Sequence, residues 1–362
     1  MRPRRSVRGL VLAAAVAVVV QLLGMLPAEA ATAAAQTVPG MQRLNDVWCT
    51  PGPTCLGVGV TTQDQGGVVV LAPSGPIGPV RAVAGTAELW SVTCSTAGTC
   101  LAVGEGPSSG VVVELAADGT PVAVRSTATN ALYGVACPTA TTCLAVGTVQ
   151  TVSDSYPYLI GTSWYVVITN GQPGRARAFS SEAGPMTGIS CPSSTRCVAV
   201  GNATIALLSS VNGAWTPTLS RSSSSWPTGA GYPTEDISCP TATQCYATAA
   251  GFIVSGGGHM GVPAMMPVSA DGVPGPVRIL SSGSGHTNGI SCVGSGTCTV
   301  VGRDNDTDQG ISIDVARGRA PVVTFWVNAD HFMGVSCVTA ESCGIAGTNL
   351  QSGVFGPKAP AS

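Results

Sequence analysis

Seven times the chain writes two cysteines with five residues between them, and these pairs use all 14 of its cysteines. They are Cys49 and Cys55, Cys94 and Cys100, Cys137 and Cys143, Cys191 and Cys197, Cys239 and Cys245, Cys292 and Cys298, Cys337 and Cys343. The residue two before each first cysteine is Val or Ile, and most copies run on into Val-Gly. An even cysteine count of this kind favours disulfides. Zinc would need tighter C-x-x-C spacing or histidine partners, and the chain has three histidines. Each first cysteine is expected to bond to the cysteine six residues later. Closing so short a loop stabilises by about 2.4 kcal/mol on chain-entropy grounds, less any strain.

Successive first cysteines lie 43 to 54 residues apart. A period of that length with four strands per unit is the mark of propeller blades. The second repeat shows the strands most cleanly, at Leu89–Cys94, Cys100–Gly104, Gly110–Ala116 and Thr120–Arg125. Turn pairs such as Asp118-Gly119, Asn170-Gly171 and Asn212-Gly213 separate the third and fourth strands and suit tight hairpins. Charged residues make up 9% of the chain, and Gly, Ala, Val, Ser and Thr dominate, a strand-and-turn composition. The expectation is an all-β, seven-bladed β-propeller over residues 31–362, four antiparallel strands per blade. The last repeat stops before its fourth strand. Residues near Ala34–Val38 fall in register to supply it, with Pro39-Gly40 ending that strand and the ring closing.

The blade motif Ile189-Ser190-Cys191-Pro192, followed by Cys197-Val198-Ala199-Val200-Gly201, resembles secreted repeat propellers of high-GC Gram-positive bacteria. More distantly it is similar to sialidase-like (BNR) propellers and photosystem II assembly-factor propellers. The resemblance covers all seven repeats and implies a fold; those families hold both enzymes and binders. The Asp-box of the sialidase-like group is not intact. Its nearest approach, Ser209-Ser210-Val211-Asn212-Gly213-Ala214-Trp215, lacks the Asp.

Arg2, Arg4, Arg5 and Arg8 precede an apolar run from Gly9 to about Leu26 and then Ala28-Glu29-Ala30. This reads as a secretory signal peptide over residues 1–30, cleaved after Ala30; the alternative is an uncleaved anchor. No later segment is long and apolar enough to span a membrane. The formal net charge is −2 and the only lysine is Lys358. With no basic stripe, nucleic acid is excluded as a partner. A secreted or envelope-located monomer is expected, binding a carbohydrate or a protein or peptide.

Loop lengths vary on one face only, that of the second-to-third loops and the crossings between blades. The outliers are residues 148–162, 221–235 and 251–266. They hold Tyr156, Tyr158, Trp226, Tyr232 and His259, the candidate ligand-binding residues, because long loops on a rigid scaffold commonly carry binding. Slack insertion is the other reading. Asp304, Asp306 and Asp308 alternate as in calcium loops; Gln309 stands where such loops have Gly, and Val315 where a bidentate Glu belongs. The loop is therefore either a calcium site or a solvated acidic turn, and no other cofactor is implied.

Signs of an enzyme are few. Gly106-Pro107-Ser108-Ser109-Gly110 fits G-x-S-x-G but lies between strands, without the strand-turn-helix such a nucleophile needs. Arg81, Arg125, Arg177, Arg278 and Arg319 fall on or beside outer strands, and the inner strands read as Ser, Thr, Ala and Gly. The central channel is thus expected to hold little chemistry. A binding or scaffold module is the expectation, with a secreted glycosidase or lyase as the alternative.

Overall fold

The computed structural model describes residues 31–358 except 53, 73–74, 96–97, 152–159, 180–184, 202–203, 223–234 and 256–257. It leaves undescribed the side chains of 150–151, 160–161, 219–222, 250, 252–255 and 258–259. The strands form seven sheets, one per repeat, arranged as a seven-bladed propeller. In blade 2 the order from the axis outward is Glu88–Cys94, Cys100–Glu105, Gly110–Leu115 and Pro121–Ser126.

All seven expected disulfides are present, each joining the end of an inner strand to the start of the second. The hairpin turns behave as their residues require. Asn170 and Gly171 both take positive φ (50° and 72°), as do Asn212 and Gly213 (51° and 80°), the backbone a tight two-residue hairpin demands.

No blade holds a core of its own. Each of the seven apolar clusters is shared by two neighbouring blades: Leu56, Val58 and Val68 of blade 1 pack with Leu89, Val92 and Ala102 of blade 2. Around the ring the same holds, ending with Phe355 and Ala346 of blade 7 against Leu44 and Val47 of blade 1. A repeat that cannot bury its faces alone is stable only between neighbours.

The N-terminal segment closes the ring in two steps. Ala31–Ala34 lies parallel to Val322–Val327 as a fifth strand on blade 6. Gln36–Val38 then pairs antiparallel with Gly353–Lys358 as the outer strand of blade 7, and Pro39-Gly40 turns the chain inward to Met41–Cys49 of blade 1. Val38 is fully buried in the cluster between blades 7 and 1.

Two expectations need correction. The blade 5 insertion at 251–266 is mostly strand. Gln244–Ser255 and Gly258–Ser269 pair without a break from Gln244↔Ser269 to Ser255↔Gly258. Blade 3 lengthens likewise, through Thr142–Thr151 and Ile160–Thr169. Backbone polar groups reaching past the ring are best satisfied by continuing the ladder, so added length becomes hairpin.

Deleting residues 31–38 should lower the melting temperature by about 5 °C or more, with all seven disulfides still forming. Calorimetry with non-reducing peptide mapping checks this, and an unchanged melting temperature would refute closure by the N-terminal segment.

Candidate functional site

The inner strands line a central channel holding a cavity of about 670 Å³. Its chemistry comes from one irregularity of the inner strand, present in five of the seven blades. The buried positions of an inner strand are two and five residues before the first cysteine, as in Val47 and Leu44, Val92 and Leu89, Val335 and Phe332. A spacing of three breaks the alternation of a strand. Register shifts at Leu44/Asp46, Leu89/Ser91, Leu132/Gly134, Thr287/Gly289 and Phe332/Gly334 show the cause, a β-bulge. The residue inside each bulge is re-aimed. In chain order the residues four before each first cysteine are Asn45, Trp90, Tyr133, Thr187, Glu235, Asn288 and Met333, and all line the cavity.

The bulge needs a glycine opposite. A Cβ on Gly59, Gly104, Gly147, Gly302 or Gly347 would lie 2.0–2.2 Å from a carbonyl oxygen of the inner strand. This is the reason for the Val-Gly that ends the motif. Blade 5 has Ala249 at that place, and there the Thr248 hydroxyl accepts the N–H groups of Glu235 and Asp236 (3.0 and 2.9 Å).

Contacts run around the ring from blade to blade. At its mouth the guanidinium of Arg43 pairs with Glu88 and lies 5.5 Å from the centre of the Trp90 ring. Asn45 donates to Glu88 (2.6 Å) and to the Leu89 carbonyl (2.8 Å). Trp90 meets Tyr133 edge-on at 5.7 Å. The hydroxyl of Thr187 donates to the Glu235 carbonyl (2.7 Å). Asn288 donates to the Glu235 carboxylate and accepts from Nε2 of His331 (2.7 Å), joining blades 5, 6 and 7. His331 in turn stacks edge-on with His286 at 5.1 Å.

One step deeper stand Asp46 and Asp236, at equivalent places in blades 1 and 5. Each bridges two blades. Asp46 accepts from the N–H of Val47 (2.8 Å) and, in blade 2, from Val92 N–H and the Ser91 hydroxyl (both 2.9 Å). Asp236 accepts from Ile237 N–H (2.8 Å) and, in blade 6, from Ile290 N–H (2.9 Å). Both residues are half-buried and line the cavity, with protein packed closely around the carboxylates. That desolvation pushes Asp46 up to about 6 and Asp236 up to about 7, against the hydrogen bonds that favour the charged form. The Asp46 charge adds to the rise at Asp236. Burial raises Glu235 as well. It lowers His331 to about 4, helped by His286, Arg303 and Arg43.

Toward the disulfide face an arc of four serines ties blade to blade from blade 4 round to blade 1. The hydroxyls of Ser190, Ser238, Ser291 and Ser336 accept the N–H of the first cysteine in the next blade, Cys239, Cys292, Cys337 and Cys49, at 2.9–3.1 Å.

The expected channel poor in chemistry is therefore corrected. The inner strands do carry Ser, Thr, Ala and Gly, but their bulged and adjacent positions supply Asp, Glu, Asn, Trp and Tyr. Arg43 sits on an inner strand, whereas Arg81, Arg177 and Arg278 link outer strands to carbonyls of the next blade. Of the loop residues, Tyr156, Tyr158, Trp226 and Tyr232 lie outside the described residues, and His259 is placed only by its backbone, opposite Val254. The three aspartates at the second-to-third turn of blade 6 are turned to separate partners. Asp304 accepts from Thr307 N–H and hydroxyl, Asp306 from Ser284 N–H, and Asp308 pairs with Arg303. Among the described residues no three His, Cys, Asp or Glu side chains are grouped to hold a metal ion.

No family model matches the sequence, and no curated protein matches it. Solved structures match its fold. U3-55K is 9% identical with a TM-score of 0.63, covering 91% of this chain and 99% of that one. The RRP9 WD40 repeats give the same score and identity over 91% and 98%. YCF48 bound to D1 peptide is 12% identical with a TM-score of 0.54, over 90% and 96%. At 9–12% identity these structures share with this chain the β-propeller fold.

Titration of the channel has a definite sign. Asp46 and Asp236 hold protons more tightly folded than unfolded, so their stabilising effect is full below their unfolded values and fades as pH rises through 6 and 7. Glu235 acts in the same sense. His331 opposes them: its effect is full above its unfolded value and fades as pH falls toward 4. Because Asp236 begins to gain before His331 begins to lose, the melting temperature should rise as pH is lowered from 8 to 6. In Asp236→Asn that rise should be at least halved; an undiminished rise would remove Asp236 as its source.

Proposed function

We propose that the protein is an exported binding or scaffold module that holds a peptide or carbohydrate at the loop-face mouth of its central channel. The observation that carries this reading is the ring of channel positions: seven blades each contribute one side chain, different from copy to copy, to the wall of a single cavity. A cavity of about 670 Å³ has the size of ligand sites. Trp90 and Tyr133 offer rigid apolar faces, and Asn45, Asn288 and Glu235 offer directional polar groups. Seven disulfides suit an oxidising, extracytoplasmic compartment, and the apolar leader supplies the export route. One structural neighbour was solved with a peptide bound, which supports a peptide for this ring too. Tyr156, Tyr158, Trp226, Tyr232 and His259 would extend the contact outward over blades 3 to 5.

A carbohydrate-acting enzyme is the second reading. It is favoured by two channel carboxyls, Asp46 and Asp236, held near neutrality, the range a general acid uses.

A glycan array and affinity capture from envelope proteins of the producing organism, each run with wild type and with Trp90→Ala/Tyr133→Ala, separate these. The binding reading expects a retained ligand that the double variant holds about ten-fold or more weakly. Release of reducing ends from an array glycan by wild type, abolished in Asp236→Asn, would replace it with the enzyme.

A further inference from the structure

Charge is divided between the two faces of the ring. The loop face carries acids, with Glu88 and Glu105 at the channel mouth and the Asp304–Asp308 turn beside them. On the disulfide face of blade 6 the balance reverses. The third-to-fourth hairpin there, Arg317-Gly318-Arg319, is exposed throughout, and neither arginine forms an ion pair with a described residue. Arg278 of blade 5 joins them, its guanidinium donating to the Arg319 carbonyl (2.8 Å), a bond that leaves its charge uncancelled. The other cations nearby are matched, Lys358 by Asp314 and Arg196 by Asp271. Against the three arginines stands the carboxylate of Glu341, on the blade 7 side of the same rim.

Apolar groups are interleaved with these cations. Val293 and Val322 of blade 6 are 37% and 42% exposed, and Val273 in the neighbouring turn of blade 5 is 45% exposed. Val293, Val322 and Arg319 line one cavity of about 270 Å³ between blades 6 and 7, so apolar surface and cation lie side by side. The apolar leader joins the ring at the same place. Ala31–Ala34 runs parallel to Val322–Val327, and Val322 is the end of that strand next to the Arg317-Gly318-Arg319 turn. Ala31 therefore lies toward the disulfide-face end of blade 6. Only residues 27–30 separate it from the apolar run that ends near Leu26, and four residues span at most about 14 Å.

We propose that the disulfide-face rim of blade 6 is a membrane-contact surface. It seats the ring on an anionic lipid surface, with Arg278, Arg317 and Arg319 among the headgroups and Val293 and Val322 at the acyl boundary. Cations beside anionic lipid and apolar side chains at its boundary each add to such binding. The leader argues for lipid over a soluble polyanion, since a leader in the bilayer holds this rim within about 14 Å of it. In that orientation the acidic loop face points away from the like charge of the membrane, and the channel mouth opens outward. This goes beyond the binding-module reading and holds whatever the channel takes.

The test uses residues 31–362, whose ring closes through Gln36–Val38 without the leader, so that the leader's own affinity for lipid does not enter. Sedimentation with vesicles of phosphatidylcholine, and of phosphatidylcholine mixed with phosphatidylglycerol, should show about ten-fold or more tighter binding to the anionic vesicles. Salt at about 1 M should abolish it. Arg317→Gln/Arg319→Gln should weaken it about ten-fold or more, and Val293→Ser/Val322→Ser several-fold, with melting temperatures unchanged because all four side chains are exposed. Anionic vesicles should also slow amide hydrogen exchange at residues 293–297 and 316–322. No binding to anionic vesicles, or equal binding to both kinds, would overturn the proposal, as would protection of the Asp304–Asp308 turn in place of those segments. Soluble polyphosphate that competes as well as lipid at equal phosphate would assign the rim to a soluble polyanion. Self-association without vesicles, weakened by the arginine variant, would assign it to a second copy. Either result overturns the lipid surface.

Discussion

In six of the seven blades the backbone of the inner segment presses against a glycine of the second strand, and most of the structure follows from that contact. With a Cβ held off, the inner strand can bulge, as it does opposite Gly59, Gly104 and Gly347. The bulge sends residues such as Leu44 and Val47 into one core shared with the neighbouring blade, while Asn45 between them lines the channel. Without it a strand of period two would have to choose between core and channel. Blade 5, where Ala249 replaces the glycine, shortens its inner strand to Ile237–Ser238 and hands two N–H groups to Thr248 instead.

Cohesion is divided between two directions. Disulfides act within a blade and fix the inner hairpin. Cohesion between blades comes from the shared apolar clusters, from the four serines between blades 4 and 1, and from the Asp46 and Asp236 bridges. Because every core is shared, an open ring would expose two half-cores at once. That gives the strand Gln36–Val38 an importance out of proportion to its length, since its pairing with Gly353–Lys358 ties the first and last parts of the chain into one blade.

The fold was legible because it repeats. Cysteine spacing, the Val or Ile two residues earlier, the Gly hairpins and the truncated last repeat each constrain strand order independently. The site was not legible by the same route, since it occupies the position that does not repeat: Asn, Trp, Tyr, Thr, Glu, Asn and Met in seven copies. Loop length drew attention outward, to residues 251–266 that turn out to be largely strand. A signal was present nonetheless. Leu44 and Val47, Leu89 and Val92, and Leu132 and Val135 are three apart, and apolar residues at that spacing in a strand require a bulge between them. Glu235 and Asn288 meet only because their blades are neighbours, which no single repeat can reveal.

The carboxylates of the channel bear on whether the ring is only a scaffold. Asp46 and Asp236 do bridge blades, and a structural role would explain them if the geometry required an acid there. It does not. The equivalent position is Ser91 in blade 2 and glycine in blades 3, 4, 6 and 7, at Gly134, Gly188, Gly289 and Gly334, and those blades close onto their neighbours as well. At Gly334 a Cβ would lie 2.7 Å from the Asp46 backbone, so glycine there serves close approach, while an acid adds charge at an unfavourable depth. Burial raises both carboxyls, and the Asp46 charge raises Asp236 further. A ring built for stability alone would have no use for two such groups on one cavity. Together with Glu235 they give the cavity wall three carboxylates among the described residues, a feature that closing one blade onto the next does not call for.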